Sequence, residues 1–80
     1  MKMDIYDRLD VKAQLTIVMG IGEKVIELKD HQYFYELFMV DEFYVEIVST
    51  KDFVLRMMRY FSADSEILDD YLELIEVPQF

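Results

Sequence analysis

The stretch YFYELFMVDEFYVEIV, residues 33–48, constrains the fold more than any other part of the chain. Six of its sixteen residues are aromatic and four are charged. Tyr, Phe, Val and Ile suit the pleated, half-buried surface of a strand. Residues 32–40 and 43–50 are therefore predicted strands, broken at the polar pair Asp41-Glu42. A two-residue hairpin turn needs positive φ and favours Asn-Gly or Asp-Gly. Asp-Glu fits poorly, so a three-residue loop from Asp41 to Phe43 is expected, with Val40 opposite Tyr44. That register places Tyr35, Leu37 and Met39 on one face with Val45 and Ile47. Phe34, Glu36 and Phe38 take the other, with Tyr44, Glu46 and Val48. Both glutamates then lie on one side, whereas a slip of one residue would leave a carboxylate on each face.

The flanking segments are less decisive. Asp4 reads as an N-cap, and Asp7 sits in the first turn, where negative charge suits the helix dipole. Tyr6, Leu9 and Ala13 share one face, and Val11, Leu15, Val18, Gly22, Val25 and Leu28 continue at helical spacing. One long helix from Asp4 to about Lys29 is expected, weakened by roughly 1 kcal/mol at each of Gly20 and Gly22. The alternative is a break at Gly20-Ile21-Gly22, with KVIELK as a short strand. Asp30 and His31 end this element.

Residues 53–61, FVLRMMRYF, fit a helix through Phe53, Met57, Tyr60 and Phe61, with Arg56 and Arg59 outward. As a strand, a short loop over residues 50–52 pairs Val48 with Val54 and Glu46 with Arg56. Such a cross-strand ion pair contributes about 0.2–1 kcal/mol. It also sets Leu55 and Met57 on the buried face beside Ile47 and Val45. The strand is preferred because it accounts for the arginines as well as the apolar positions. Ser62, Asp64 or Ser65 can cap a final helix whose apolar face is Ile67, Leu68, Tyr71, Leu72 and Ile75, with Pro78 marking its end.

The resulting expectation is one α+β domain over residues 1–80: a long N-terminal helix, a three-stranded antiparallel meander and a short C-terminal helix. The runs EFYVEIVSTKDFVLRMMRYFS and ILDDYLELIEV resemble small uncharacterised bacterial proteins with that layout. The resemblance spans roughly residues 33–76. It implies a strand at residues 53–61 and carries over no functional residue.

Composition narrows the function classes. A chain of this size buries only about 60% of its unfolded surface and usually needs a staple. There is no cysteine, so disulfides and thiolate metal sites are excluded, leaving dense packing or self-association. Seventeen acids against eight bases give a net charge of −9. That disfavours contact with nucleic-acid phosphates and with an anionic membrane surface. The opening MKMDIYDRLD lacks an uninterrupted apolar segment, and LTIVMGIG is too short to span a bilayer. A cytoplasmic address is expected.

No motif points to catalysis. GIGEK, residues 20–24, lacks the glycine spacing and Lys-Ser/Thr ending of a phosphate loop. His31 is the single histidine, with no orienting carboxylate, nucleophile or co-ligands indicated around it. The acids Asp64, Glu66, Asp69, Asp70, Glu73 and Glu76 lack the spacing of a calcium loop and read as a solvated helix face. No catalytic residue, metal, cofactor or small-molecule substrate is expected.

The aromatic stretch admits two readings. Each helix could bury one sheet face within a single chain. The preferred reading puts both helices on one face, leaving Phe34, Phe38, Tyr44, Val48, Val54, Met58 and Tyr60 partly exposed. Monomers rarely leave apolar patches beyond a few hundred Å² uncovered, and Tyr, Phe, Met and Arg are enriched at interfaces. The expected function is a non-catalytic protein-interaction module, a homodimer or the partner of another protein. Its contact residues are expected to be Phe34, Phe38, Tyr44, Val48, Met58 and Tyr60. The alternative is an acidic inhibitor that imitates nucleic acid and occupies a basic protein site.

Overall fold

A computed structural model describes the backbone of residues 1–75 and the side chains of residues 1–71. Glu76 and the helix-ending role of Pro78 lie outside the described residues, as do the side chains of Leu72, Glu73 and Ile75. The elements are α1 (Met3–Asp7), α2 (Val11–Ile21), β1 (Glu23–Lys29), β2 (Tyr33–Val40), β3 (Phe43–Thr50), β4 (Leu55–Ser62) and α3 (Glu66–Ile75). The fold is α+β, with one antiparallel sheet in the order β1-β2-β3-β4.

The single long N-terminal helix is not formed. Asp10 caps α2, its Oδ1 accepting the Ala13 N–H at 2.8 Å, and the helix starts anew there. Asp4 lies inside α1, whose N-cap is Lys2. At the other end, the Gly22 N–H donates to the Val18 carbonyl at 2.9 Å, while the Gly22 backbone is already extended. A Cβ on Gly22 would stand 2.4 Å from that carbonyl oxygen. Glycine therefore lets the chain leave the helix directly into β1. KVIELK is a strand, the alternative weighed above, with Ile26 and Leu28 turned inward and Glu27 and Lys29 outward.

Two alanine substitutions separate the glycines. Gly20 has nothing within 4 Å of an added Cβ, so Gly20→Ala should raise stability by about 0.5–1 kcal/mol through helix propensity. Gly22→Ala should lower it by roughly 1–3 kcal/mol, because backbone must shift. Chemical denaturation of the two variants checks both signs.

The hairpin also departs from expectation. Asp41-Glu42 is a two-residue turn, with Val40 opposite Phe43, and Asp41 takes φ 53°. Aspartate is among the few non-glycine residues that enter this left-handed region readily. The slip of one residue moves every partner. Phe34, Glu36, Phe38 and Val40 now share a face with Phe43, Val45, Ile47 and Ser49. Tyr35, Leu37 and Met39 share the other with Tyr44, Glu46 and Val48. The glutamates are split, and each carboxylate has a cation. Glu36 meets Lys24 at 2.8 Å, and buried Glu46 meets Arg59 at 2.6 Å.

Residues 55–62 form a strand, as preferred, in a different register. Arg59, not Arg56, stands opposite Glu46, and a bulge lies between Val48 and Ser49. The three helices occupy both sides of the sheet. Tyr6 of α1 and Val18 of α2 pack on Phe38, Val40, Phe43, Val45 and Ile47, with Met58 and Tyr60 alongside. Tyr71, Ile67 and Leu68 of α3 cover Leu37 and Phe61 on the opposite face. The expected open aromatic face is thus closed within one chain. Where α1 and α2 do not reach, Lys24 and Lys29 lie over the Phe34 ring, 5.9 and 5.4 Å from its centre.

Burial raises the ionisation of two tyrosines. Tyr6 is pushed up to about 12 by desolvation. Tyr71 is raised further, first by desolvation and then by its hydrogen bond to Glu46. A raised folded-state value stabilises the fold below the unfolded tyrosine value of about 10, and that contribution is lost as the pH climbs beyond it. Stability should therefore fall from about pH 10 upward. Phenolate absorbance should show these two residues ionising together with unfolding, after the exposed tyrosines.

Candidate functional site

The expected contact residues are not brought together. Phe34, Phe38, Met58 and Tyr60 belong to the face under α1 and α2, whereas Tyr44 and Val48 belong to the face under α3. Phe38 and Val48 are buried, and the other four are half-buried. Their aromatic contacts are internal: Tyr60 lies 5.4 Å from Tyr6, and Tyr44 stacks on Phe61 at 6.0 Å.

Exposed apolar side chains lie in two regions: Met1, Ile5, Val11, Met19, Ile21 and Val25 from the N-terminal segment to β1, and a run at the β4 edge and the loop before it. Phe53 is 77% exposed, Val54 55%, Met57 42% and Leu55 37%. Leu55 and Met57 do not occupy the buried positions expected of them, because Leu55 stands opposite Ser49 and Met57 opposite Val48 on an outer strand. Phe53 holds φ 64°, with its N–H on the Thr50 carbonyl at 2.9 Å and its ring 6.2 Å from Phe34. A bulky residue at positive φ stores strain. Here that strain coincides with an aromatic ring presented to solvent.

The two edges of the sheet are built differently. On β1, Glu23, Lys24, Glu27 and Lys29 surround an irregularity between Lys24 and Ile26. Charge and bulges of this kind deter added strands. Val25 and the nearby Ile21 and Met19 are exposed, but β1 interleaves its apolar side chains with these charges. The β4 edge has its own bulge near Leu55, followed by a regular run from Met57 to Ser62. No acid occurs from Phe53 to Phe61, in a chain with seventeen.

Backbone geometry completes the edge. A two-residue turn closes on a hydrogen-bonded pair, here Val40 and Phe43, and such pairs alternate along antiparallel strands. Tyr44, Glu46 and Val48 thus turn their backbone groups toward β4. The N–H and C=O groups of Met58 and Tyr60 face away from β3. They form a ready template for another strand.

A groove of about 380 Å³ lies between α3 and the sheet, lined in part by Asp30, Tyr35, Glu46, Arg59, Asp70 and Tyr71. Its polar groups engage one another. Arg59 Nε donates to Glu46 Oε1 at 2.6 Å and Nη2 to Oε2 at 3.4 Å, while the Tyr71 hydroxyl donates to Glu46 Oε2. The Tyr35 hydroxyl donates to Asp30 Oδ2 at 3.0 Å. Asp30 also accepts the Gln32 and Tyr33 backbone N–H groups, which hold its carboxyl below the usual range.

His31 is exposed in the β1–β2 turn, and the GIGEK glycines belong to α2 and its cap. On α3, Glu66, Asp69 and Asp70 face outward in varying degree, with Ser65 Oγ accepting the Ile67 N–H at 3.2 Å. Among the described residues, no group of three His, Cys, Asp or Glu side chains could hold a metal. Among them, too, no helix is long and apolar enough to cross a membrane.

Comparisons with protein-family models, curated proteins and solved structures gave no match.

Proposed function

We propose that this chain is a non-catalytic protein-interaction module that docks a protein strand along β4. The observation that carries this reading is the asymmetry of the sheet edges: β1 carries charges of both signs around a bulge, whereas β4 is acid-free, runs regularly from Met57 to Ser62 beyond its own bulge, and is flanked by exposed Phe53, Val54 and Met57. Main-chain pairing supplies affinity in strand addition, and side-chain contacts supply specificity. The mutual engagement of Glu46, Arg59 and Tyr71 supports a structural role for the groove beneath α3.

Photo-cross-linking in the source cell tests this. A benzophenone side chain replacing Phe53 should yield a protein adduct, and one replacing Val25 on β1 should not. No adduct at position 53, or equal yields at both, would overturn the reading.

A second reading, an acidic mimic of nucleic acid, draws on the exposed Glu66 and Asp69 of α3 and the net charge of −9. It requires association with a basic protein that weakens steeply with added salt. Salt-insensitive association favours the apolar edge.

A further inference from the structure

We infer that the strand docked on β4 is the β4 of a second copy, giving a two-fold dimer with a continuous eight-stranded sheet. This rests on the edge-docking reading and names its occupant.

Charge makes this edge the place where two copies can meet. Seventeen acids against eight bases leave the chain at −9, so two copies repel each other over most of their surface. From Phe53 to Phe61 there is no acid, and the two cations there are placed harmlessly. Arg59 is neutralised by Glu46 of its own chain. Arg56 falls at the bulge, the residue skipped between the pairs Val48–Met57 and Ser49–Leu55. An antiparallel pairing centred on Met58 sets Arg59 opposite Met57 of the other copy and Arg56 opposite Tyr60. No arginine faces an arginine.

Geometry selects the number. An antiparallel strand edge is complementary to itself under a two-fold axis, the commonest symmetry of homo-oligomers. The pairing uses the outward backbone groups of Met58 on both copies, sets those of Tyr60 against Arg56 of the other copy, and brings Met57 and the Phe53–Leu55 segment under cover. Each copy then offers only its β1 edge to further strands, and that edge is charged and bulged. Assembly therefore stops at two, where two receptive edges would give a filament. An 80-residue chain without cysteine also gains from such pairing, because association stabilises the folded state by mass action.

Sedimentation equilibrium of the full chain, from micromolar to millimolar concentration, tests the inference. The expected mass is twice the chain mass of 9.7 kDa. Met57→Lys, which adds the charge that natural edges use as protection, should shift the dissociation constant upward by at least about tenfold. Phe53→Gly should weaken association too, and it removes the positive-φ strain, so its folding is not at risk. Val25→Lys on β1 should leave the mass unchanged. A wild-type mass of 9.7 kDa throughout, or a dimer indifferent to both β4 variants, overturns the inference. A monomer that nevertheless forms an adduct with a different protein from position 53 overturns self-association and leaves edge docking standing. A monomer with no adduct overturns both.

Discussion

Replacing Arg59 with leucine is expected to cost about 3 kcal/mol of folding stability. At this chain length that corresponds to a fall in Tm of at least about 12 °C. Glu46 is 3% exposed and lies in the middle of β3, on the face covered by α3. Its carboxylate is held by the Arg59 guanidinium and the Tyr71 hydroxyl. Removing one partner of a buried ion pair leaves a charge without compensation, which costs about 3–5 kcal/mol. The value expected here is at the lower end, because the Arg59 side chain is 43% exposed and water takes over part of its role. The pair is not simply a source of stability, since well-packed apolar replacements of a buried ion pair are often neutral or better. The triple variant Arg59→Leu, Glu46→Leu, Tyr71→Phe should therefore recover most of the loss. Thermal melts of the single and triple variants check this. Equal losses in both would contradict the desolvation account.

Tyr6→Ala is expected to cost about 3–5 kcal/mol, as for other large aromatics removed from a packed interior. Domains of this length hold about 4–12 kcal/mol in total, so the loss takes a large share of the stability and the variant should melt well below the wild type. Tyr6 is fully buried, with its ring 5.1 Å from Phe43 and 5.4 Å from Tyr60. It fixes α1 to two strands at once, and the Gln14 side chain donates to its backbone carbonyl at 2.9 Å, tying α1 to α2. The phenol hydroxyl contributes less. Its bond to the Gln14 carbonyl is long, at 3.4 Å, so Tyr6→Phe should cost no more than about 1 kcal/mol. The ratio of the two losses, read from urea unfolding, distinguishes a packing role from a polar one.

Much of the sheet was legible in the sequence, because Tyr, Phe, Val and Ile mark strands wherever they are concentrated. The segments around Leu37, Val45 and Arg59 are strands, and an apolar helix face through Ile67 and Tyr71 covers the sheet. The register was not legible, because it turned on one dihedral angle. Asp41 adopts φ 53°, a conformation a sequence rule reserves mainly for Gly or Asn, and this shortened the loop by one residue. The end of α2 was obscured because Val18, Gly22, Val25 and Leu28 keep helical spacing, while Ile26 and Leu28 also alternate as a strand requires. The close approach of Gly22 to the Val18 carbonyl decides between them, and it exists only in three dimensions.

The docking edge was half legible. An acid-free FVLRMMRYF in a chain of net charge −9 is a signal in the sequence itself. Its meaning depends on β4 being the outer strand, which required β1 to add on the far side of β2. Phe34, Phe38, Tyr44, Val48, Met58 and Tyr60 form one open face only in a register one residue away from the observed one and with both helices on the opposite side. Helices on both faces cover most of that aromatic and apolar character within the chain, and at the outer strand the exposed apolar side chains are Phe53, Val54, Leu55 and Met57.

The central claim, that the β4 edge is occupied by a strand, is tested most directly by amide hydrogen exchange at Met58 and Tyr60. Their N–H groups point away from β3, so a bare edge leaves them to water. The account predicts slow exchange at high protein concentration, accelerating on dilution and in Met57→Lys. Exchange at these two amides that is fast at every concentration, in the presence of every protein cross-linked from position 53, would contradict it.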